Sequence, residues 1–277
     1  MIQKILRYGR VTRHLPYSRG LRLLCCLYEL ALPESELPLR VDDFDEDLRI
    51  DVDVREIVGI NIWHAPTFFE KHERKLFCEA VTPGSVVLDV GANVGIYTLL
   101  AAKRGARVLA IEADPQNVER LRHHVRLNGF DDRVTIFPMA ATDKEGAVTI
   151  FRNHRNSGNS NLFDGTDPVL VPGSRIDSLE LPPIDVCKMD IEGAELMALS
   201  GMDMTIRRSP NMRLLMEYCK DFRQTDGVME FLCARFASVY AIRKHPFGAK
   251  GPLSPSQKVP SYCNLWASGC HALHGAM

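Results

Sequence analysis

The stretch Leu88-Asp89-Val90-Gly91-Ala92-Asn93-Val94-Gly95 decides the fold. Val86 to Val90 is a short apolar run rich in β-branched side chains, the mark of a buried strand, and the glycines after it lead into a helix-like segment from Ile96 to Arg104. A strand passing through a glycine turn into a helix opens a βαβ unit, and the crevice at that strand's C-terminal end is where an open α/β sheet takes its ligand. Outward from this turn the alternation continues. Strands are predicted at Arg107–Glu112, Val134–Ala140, Ile184–Met189 and Met212–Glu217, with Ser238–Ile242 and Tyr262–Ala267 completing the sheet. A helix over Asn117–Asn128 starts beside Asp114-Pro115 and stops at Asn128-Gly129, both good boundary signals. The pattern predicts an α/β fold: a mostly parallel, seven-stranded Rossmann-like sheet with helices on both faces.

Upstream, Leu48, Ile50, Val52 and Val54 alternate as in an edge hairpin, and Phe68, Phe69, Leu76 and Phe77 recur at helical spacing within Thr67–Ala80 before Pro83-Gly84 stops them. Arg152 to Pro172 is polar and long for a connection, and long loops of this kind tend to be functional. Ala147–Phe151 and Asn161–Phe163 are expected to form a small β-hairpin there. Residues 1–40 then form a basic, helical N-terminal extension, 41–270 the Rossmann-like domain and 271–277 a tail.

Composition narrows the function. Of 277 residues, 45% are hydrophobic and 25% charged, enough apolar material for a sizeable core. Lys and Arg number 34 against 35 Asp and Glu, so no global field recruits nucleic acid, and a nucleic-acid partner is not expected. The 8 cysteines form no C-x-x-C pair, which suits a reducing cytoplasm. No stretch has the roughly 18 to 20 apolar residues of a spanning helix. Residues 1–30 interleave Lys4, Arg7, Arg10, Arg13, Arg19 and Arg22 with Ile5, Leu6, Leu15 and Leu21. Such a segment either packs as helices on the domain or on a second copy of the chain, the preferred assignment, or lies peripherally on the anionic inner membrane surface. The sequence leaves a homo-oligomer open.

The turn itself says what binds. A dinucleotide fingerprint reads G-x-G-x-x-G, whereas Gly91 and Gly95 are separated by three residues and preceded by Asp89, so a nicotinamide-dependent oxidoreductase is the weaker alternative. S-adenosylmethionine suits this spacing: it has an adenine, a ribose with two hydroxyls, a sulfonium and an amino-acid tail, but no pyrophosphate. Glu112, ending the second strand about 20 residues on, is placed to accept hydrogen bonds from the ribose. Met139-Ala140-Ala141, ending the third strand, is expected to pack on the adenine.

Two more segments, Lys188-Met189-Asp190-Ile191-Glu192-Gly193-Ala194-Glu195 and Asn156-Ser157-Gly158-Asn159-Ser160, join the glycine turn in a pattern that resembles the FkbM-type methyltransferases over about Phe69 to Trp266. The resemblance implies a class I methyltransferase that moves the methyl of S-adenosylmethionine to an oxygen, often a hydroxyl of a sugar, glycan or secondary metabolite. It carries over Asp89, Gly91, Asn93, Gly95, Thr98 and Glu112 as cofactor-binding positions, with Ala141 on the adenine side, and Asp190, Glu192 and Glu195 as the acidic element. Ile111-Glu112-Ala113-Asp114-Pro115 departs from the Glu-Pro-x-Pro frequent in the family, which affects the adenine-side contacts rather than Glu112.

Methyl transfer to a hydroxyl needs a base, because a neutral alcohol is a poor nucleophile. Asp190 and Glu217 end neighbouring parallel strands and emerge at one sheet edge, so they are the expected catalytic pair, with Glu192 beside them. The same pair would hold Mg²⁺ or Ca²⁺ if the chemistry used a divalent metal; metal-free chemistry is preferred. His154, Asn156, Ser157 and Ser160 in the polar loop are candidates for contacting a small-molecule or glycan acceptor, and His245 is a lesser base candidate. A non-catalytic module that only binds the cofactor or a membrane surface is the alternative from a different class.

Overall fold

The computed structural model describes Tyr28, Leu30, Leu32, Ser35 and residues 37–67, 69–153, 160–163, 165–219, 226–242 and 262–270. The predicted extension, apart from those few N-terminal positions, and the predicted tail lie outside the described residues, as do His154, Asn156, Ser157 and His245.

The central sheet has seven strands in the order β11-β12-β10-β9-β3-β4-β5. They are β3 (Val86–Val90), β4 (Arg107–Glu112), β5 (Val134–Pro138), β9 (Val186–Met189), β10 (Arg213–Cys219), β11 (Phe236–Ile242) and β12 (Tyr262–Cys270). The pairs from β10 through β5 are parallel, and only β12 runs antiparallel to both its neighbours. β3 lies at the centre because it can be buried on both faces: Val87, Leu88 and Val90 expose no surface. Each such side chain contributes roughly 1.5–3 kcal/mol of burial. Its register sets Val90 against Ile111 on one side and Met189 on the other, so β3, β4 and β9 finish level with one another.

Helices α3 (Ile96–Lys103), α4 (Pro115–Leu127), α5 (Glu195–Gly201) and α6 (Asp203–Arg207) follow the strands. α4 starts where its signals predict: Asp114 accepts from the Gln116 amide and Pro115 occupies the first turn. Before the sheet come an antiparallel pair, β1 (Leu39–Phe44) and β2 (Leu48–Val52), then α1 (Ile57–His64) and α2 (Lys71–Ala80). The helix expected over Thr67–Ala80 thus begins at Lys71, and α1 is unforeseen because its side chains are mostly buried and show no helical periodicity. A further helix, α7 (Val228–Arg235), precedes β11. No helix among the described residues is long and apolar enough to cross a membrane.

Two strand expectations are corrected. The third strand stops at Pro138 instead of running to Ala140, and β6 (Ala140–Ala141) leaves for a separate three-stranded sheet, ordered β6-β8-β7. The partner of β7 (Gly146–Arg152) in that sheet is β8 (Asp167–Ser174); Asn161 contributes only an isolated bridge to Phe151. Pro168 and Pro172 make β8 look like loop in the sequence. They are tolerated because β8 pairs with β6 only at Gly173 and Ser174, so at both prolines the strand has one neighbour.

Candidate active site

A cavity of about 300 Å³ opens where β3, β4, β9 and β10 end, at the low end of the small-molecule range. Its first wall is the turn after β3. Gly91 has φ +78°, and a Cβ there would stand 1.9 Å from the Asp190 carbonyl oxygen, so only glycine lets the turn lie against the end of β9. The Asp190 amide donates to the Val90 carbonyl at 3.0 Å, and the Gly91 and Ala92 amides donate to Ile111 at 2.9 and 3.0 Å. The turn is therefore stitched to both neighbouring strands.

Asn93, with φ 51°, turns its amide onto Glu112 at 2.7 Å, and the Asp114 amide donates to the other oxygen of the same carboxylate at 2.8 Å. Burial pushes Glu112 up to about 7 against the pull of these donors. The side-chain oxygen of Asn93 is buried without a protein partner, which suits a ligand that donates to it. Met139, Ala140, Ala141, Ile111 and Ile150 give an apolar side to the same cavity. An acid in the cavity wall, an orphan acceptor and an apolar slot, with no phosphate-type glycine spacing, fit S-adenosylmethionine.

Other cofactor candidates sit behind this wall. Asp89 accepts from the Thr98 hydroxyl at 2.6 Å, both side chains are buried, and neither lines the cavity. Burial lifts Asp89 to about 6 and the Thr98 hydrogen bond opposes the rise. Their geometry anchors α3 beneath the turn. Gly95, φ +97°, lies against Leu121 of α4 rather than the cavity.

The opposite wall is acidic. Carboxylate oxygens of Asp190, Glu192 and Glu217 all lie within 4.8 Å of one another, close enough to hold a divalent cation. Lys188 already contacts Asp190 at 3.0 Å, and Tyr262 donates its hydroxyl to Glu217. Burial and the charge of Asp190 push Glu192 up to about 9 and drive Glu217 upward as well. Glu192 therefore keeps its proton at neutral pH. Glu195 does something else: it accepts from the Gly193 and Ile191 amides at 3.2 and 3.4 Å, holding the turn into α5. Ser160, Asn161 and Leu162 bring the polar loop to the rim.

Several residues of the cavity carry no role in the sequence reading. Glu70, Ile57 and Val58 come from the segment before the sheet and close one side. Tyr97 donates to Glu70 at 2.6 Å. Lys188 was legible, since residues two apart on a strand share a face and Lys188 and Asp190 are so spaced. Glu70, Asn93 and Glu192 hold positive φ of 45°, 51° and 54°, and all three line the cavity. Such conformations cost of order 1–3 kcal/mol in non-glycine residues and gather at functional sites.

Comparison with known proteins places this site in a family. The methyltransferase FkbM domain matches residues 89–239, more than half of the chain. The AMB antimetabolite synthetase AmbE of Pseudomonas aeruginosa is 26% identical over 164 residues, 44% of this chain and 8% of that protein. The tRNA (guanine(37)-N(1))-methyltransferase of Mus musculus is 32% identical over 82 residues, 30% and 16% of the two chains. A ribosomal protein L11 methyltransferase of Burkholderia mallei is 48% identical over 54 residues, 19% and 18%. The chain spans less than a fifth of the length of these curated relatives. Among solved structures, the methyltransferase FkbM of Methylobacillus flagellatus KT superposes with TM-score 0.46 at 20% identity, over 76% of this chain and 54% of that one.

Proposed function

The chain belongs to the methyltransferase FkbM family, a family dependent on S-adenosylmethionine, and on that premise we propose that it methylates a hydroxyl oxygen of a sugar, glycan or secondary metabolite. What carries the proposal is the meeting of two chemistries in one cavity: Glu112 with its pair of main-chain donors on one wall, and Asp190, Glu192 and Glu217 on the other.

When bound, S-adenosylmethionine supplies a methyl group on a sulfonium, an electrophile that leaves its electron pair on sulfur. Glu112 would accept the ribose hydroxyls, Asn93 Oδ1 a donor of the ligand, and Met139, Ala140 and Ala141 would pack on the adenine. Asp190 would take the proton of the acceptor hydroxyl, whose oxygen would receive the methyl group. A positioned base contributes roughly 10²–10⁴ fold. Glu192, protonated at neutral pH, is a donor for a second hydroxyl of the acceptor. Ser160 and Asn161 at the rim, with His154, Asn156 and Ser157 from the adjoining loop, are the proposed acceptor contacts. Metal-free chemistry is preferred because two of the three carboxylates already have partners in Lys188 and Tyr262.

Titration calorimetry with S-adenosylhomocysteine tests the cofactor assignment, which an absence of heat at millimolar ligand would overturn. Transfer from a ¹³C-methyl donor to a panel of methyl glycosides, read by NMR, distinguishes an O-methyl product from an N-methyl one.

A further inference from the structure

Lys188 is the one cation lining the cavity among the described residues, and its side chain is only 4% exposed. It reaches that position from β9, where residue 188 is held between β3 and β10: Asp89 stands opposite it on one side and Leu215 on the other. Its ammonium contacts the Asp190 carboxylate at 3.0 Å and lies 5.1 Å from the centre of the Tyr97 ring, whose hydroxyl is in turn tied to Glu70. A buried ammonium is costly unless paired, so its place is fixed by these groups.

We infer that Lys188 is a positioning residue for methyl transfer, which fixes the Asp190 carboxylate toward the acceptor hydroxyl by holding one of its oxygens from inside the sheet. The inference rests on the proposed function, in which Asp190 takes the proton. Asp190 follows β9 directly and its side chain is 30% exposed, so without a tether its carboxylate has room to turn to solvent or to Glu192 and Glu217. Lys188 engages Oδ2, one of the two oxygens of that carboxylate. Among the described residues lining the cavity Lys188 is the one cation that can do this; the neighbouring Glu217 also meets Asp190, but as a second carboxyl whose own charge is disfavoured there, and Tyr97 and Tyr262 are engaged with Glu70 and Glu217. Lysine at this position is also secure as a cation, since burial lowers its proton affinity but Asp190, Glu70 and the hydrogen bond to Asp190 more than reverse the effect.

The test compares Lys188→Met, Lys188→Arg, Asp190→Asn and the double variant Lys188→Met Asp190→Asn. Without any acceptor, urea unfolding of the four is expected to show that the double variant loses less stability than the two single losses added together, while affinity for S-adenosylhomocysteine stays within about threefold. Additive losses overturn the pairing. With an acceptor from the methyl glycoside panel, Lys188→Met should lower kcat by about 10- to 100-fold with little change in KM for S-adenosylmethionine, and Lys188→Arg should recover part of it. An unchanged kcat, or a KM that rises in proportion, overturns the inference. If Lys188→Met does not fold, the double variant is compared with Asp190→Asn: equal turnover supports positioning through Asp190, and a further tenfold fall refutes it. Should Asp190→Asn itself retain full turnover, the fault lies with the proposed base and not with Lys188.

Discussion

Asn93 donates its main-chain N–H to Glu112 at 2.7 Å, joining the turn after β3 to the end of β4. The Asp114 amide holds the second oxygen of the same carboxylate, so a carboxamide cannot replace it: Glu112→Gln can accept from one of these donors but points its own N–H at the other. Hydrogen bonds to a charged acceptor are worth about 1.5–3 kcal/mol. Affinity for S-adenosylhomocysteine should therefore fall about 10- to 100-fold in Glu112→Gln, measured by calorimetry. Unchanged affinity would remove Glu112 from the cofactor site.

The same carboxylate makes binding depend on pH. Glu112 has a folded-state value of about 7, raised by burial from the ordinary carboxylate range. For an acid raised in this way, the protonated form's contribution to stability is fully present below about 4.5 and is lost as pH rises through about 7. A ribose that donates to the carboxylate favours the ionised form and draws the value back down. Binding then releases a proton below pH 7, and S-adenosylhomocysteine should bind more tightly at pH 8 than at pH 6. Calorimetry in buffers of different ionisation enthalpy reads the proton directly. Equal affinity at both values, with no proton released, would contradict the assignment.

How much of this was legible depends on how local the signal is. Val86–Val90 and Arg107–Glu112 are β-branched runs bounded by turns, and they form strands as read because a parallel strand buried on both faces needs such side chains. Asp190 and Glu217 meet at one edge because parallel strands place their C-terminal ends together. Asp89 and Thr98 show where the reading thins. Their spacing marks the turn, but which way each side chain faces depends on packing, and the two bond to each other beneath it. Glu70 and Ile57 reach the cavity from a segment whose docking rests on long-range contacts, such as the paired hydrogen bonds of Arg120 to Glu56, which no local pattern announces.

Asp190 carries the proposed proton transfer, and its loss should be a loss of chemistry rather than of binding. Asp190→Asn keeps the size of the side chain while removing the base, so turnover should fall by about 10²–10⁴ fold with cofactor affinity within a few-fold. Activity should also survive exhaustive EDTA treatment, because Lys188 and Tyr262 each already engage one oxygen of Asp190 and Glu217 and the Lys188 charge competes with a cation there. Abolition by EDTA with recovery on added Mg²⁺ would instead establish Asp190, Glu192 and Glu217 as ligands.

His124 binds the turn to the N-terminal hairpin and sets a last expectation. Its Nδ1 lies 2.7 Å from the Val94 carbonyl, which can only accept, and its Nε2 lies 3.1 Å from the Asp51 amide, which can only donate. The ring is therefore the neutral Nδ1–H tautomer, and a second proton would set N–H against N–H. Burial lowers its proton affinity in the folded state. For a base lowered in this way, the stabilisation is present above the unfolded value, about 6.5, and is lost as pH falls below it. His124→Leu leaves a buried carbonyl and a part-buried amide unpaired, at about 1–3 kcal/mol each. Urea unfolding at pH 8 should show a loss of about 2–6 kcal/mol on the same basis, and the gap from the unsubstituted protein should narrow at pH 5. The neighbouring His123–Asp51 contact is present in both proteins. A gap of equal size at both pH values would mean that His124 supports the turn by packing alone.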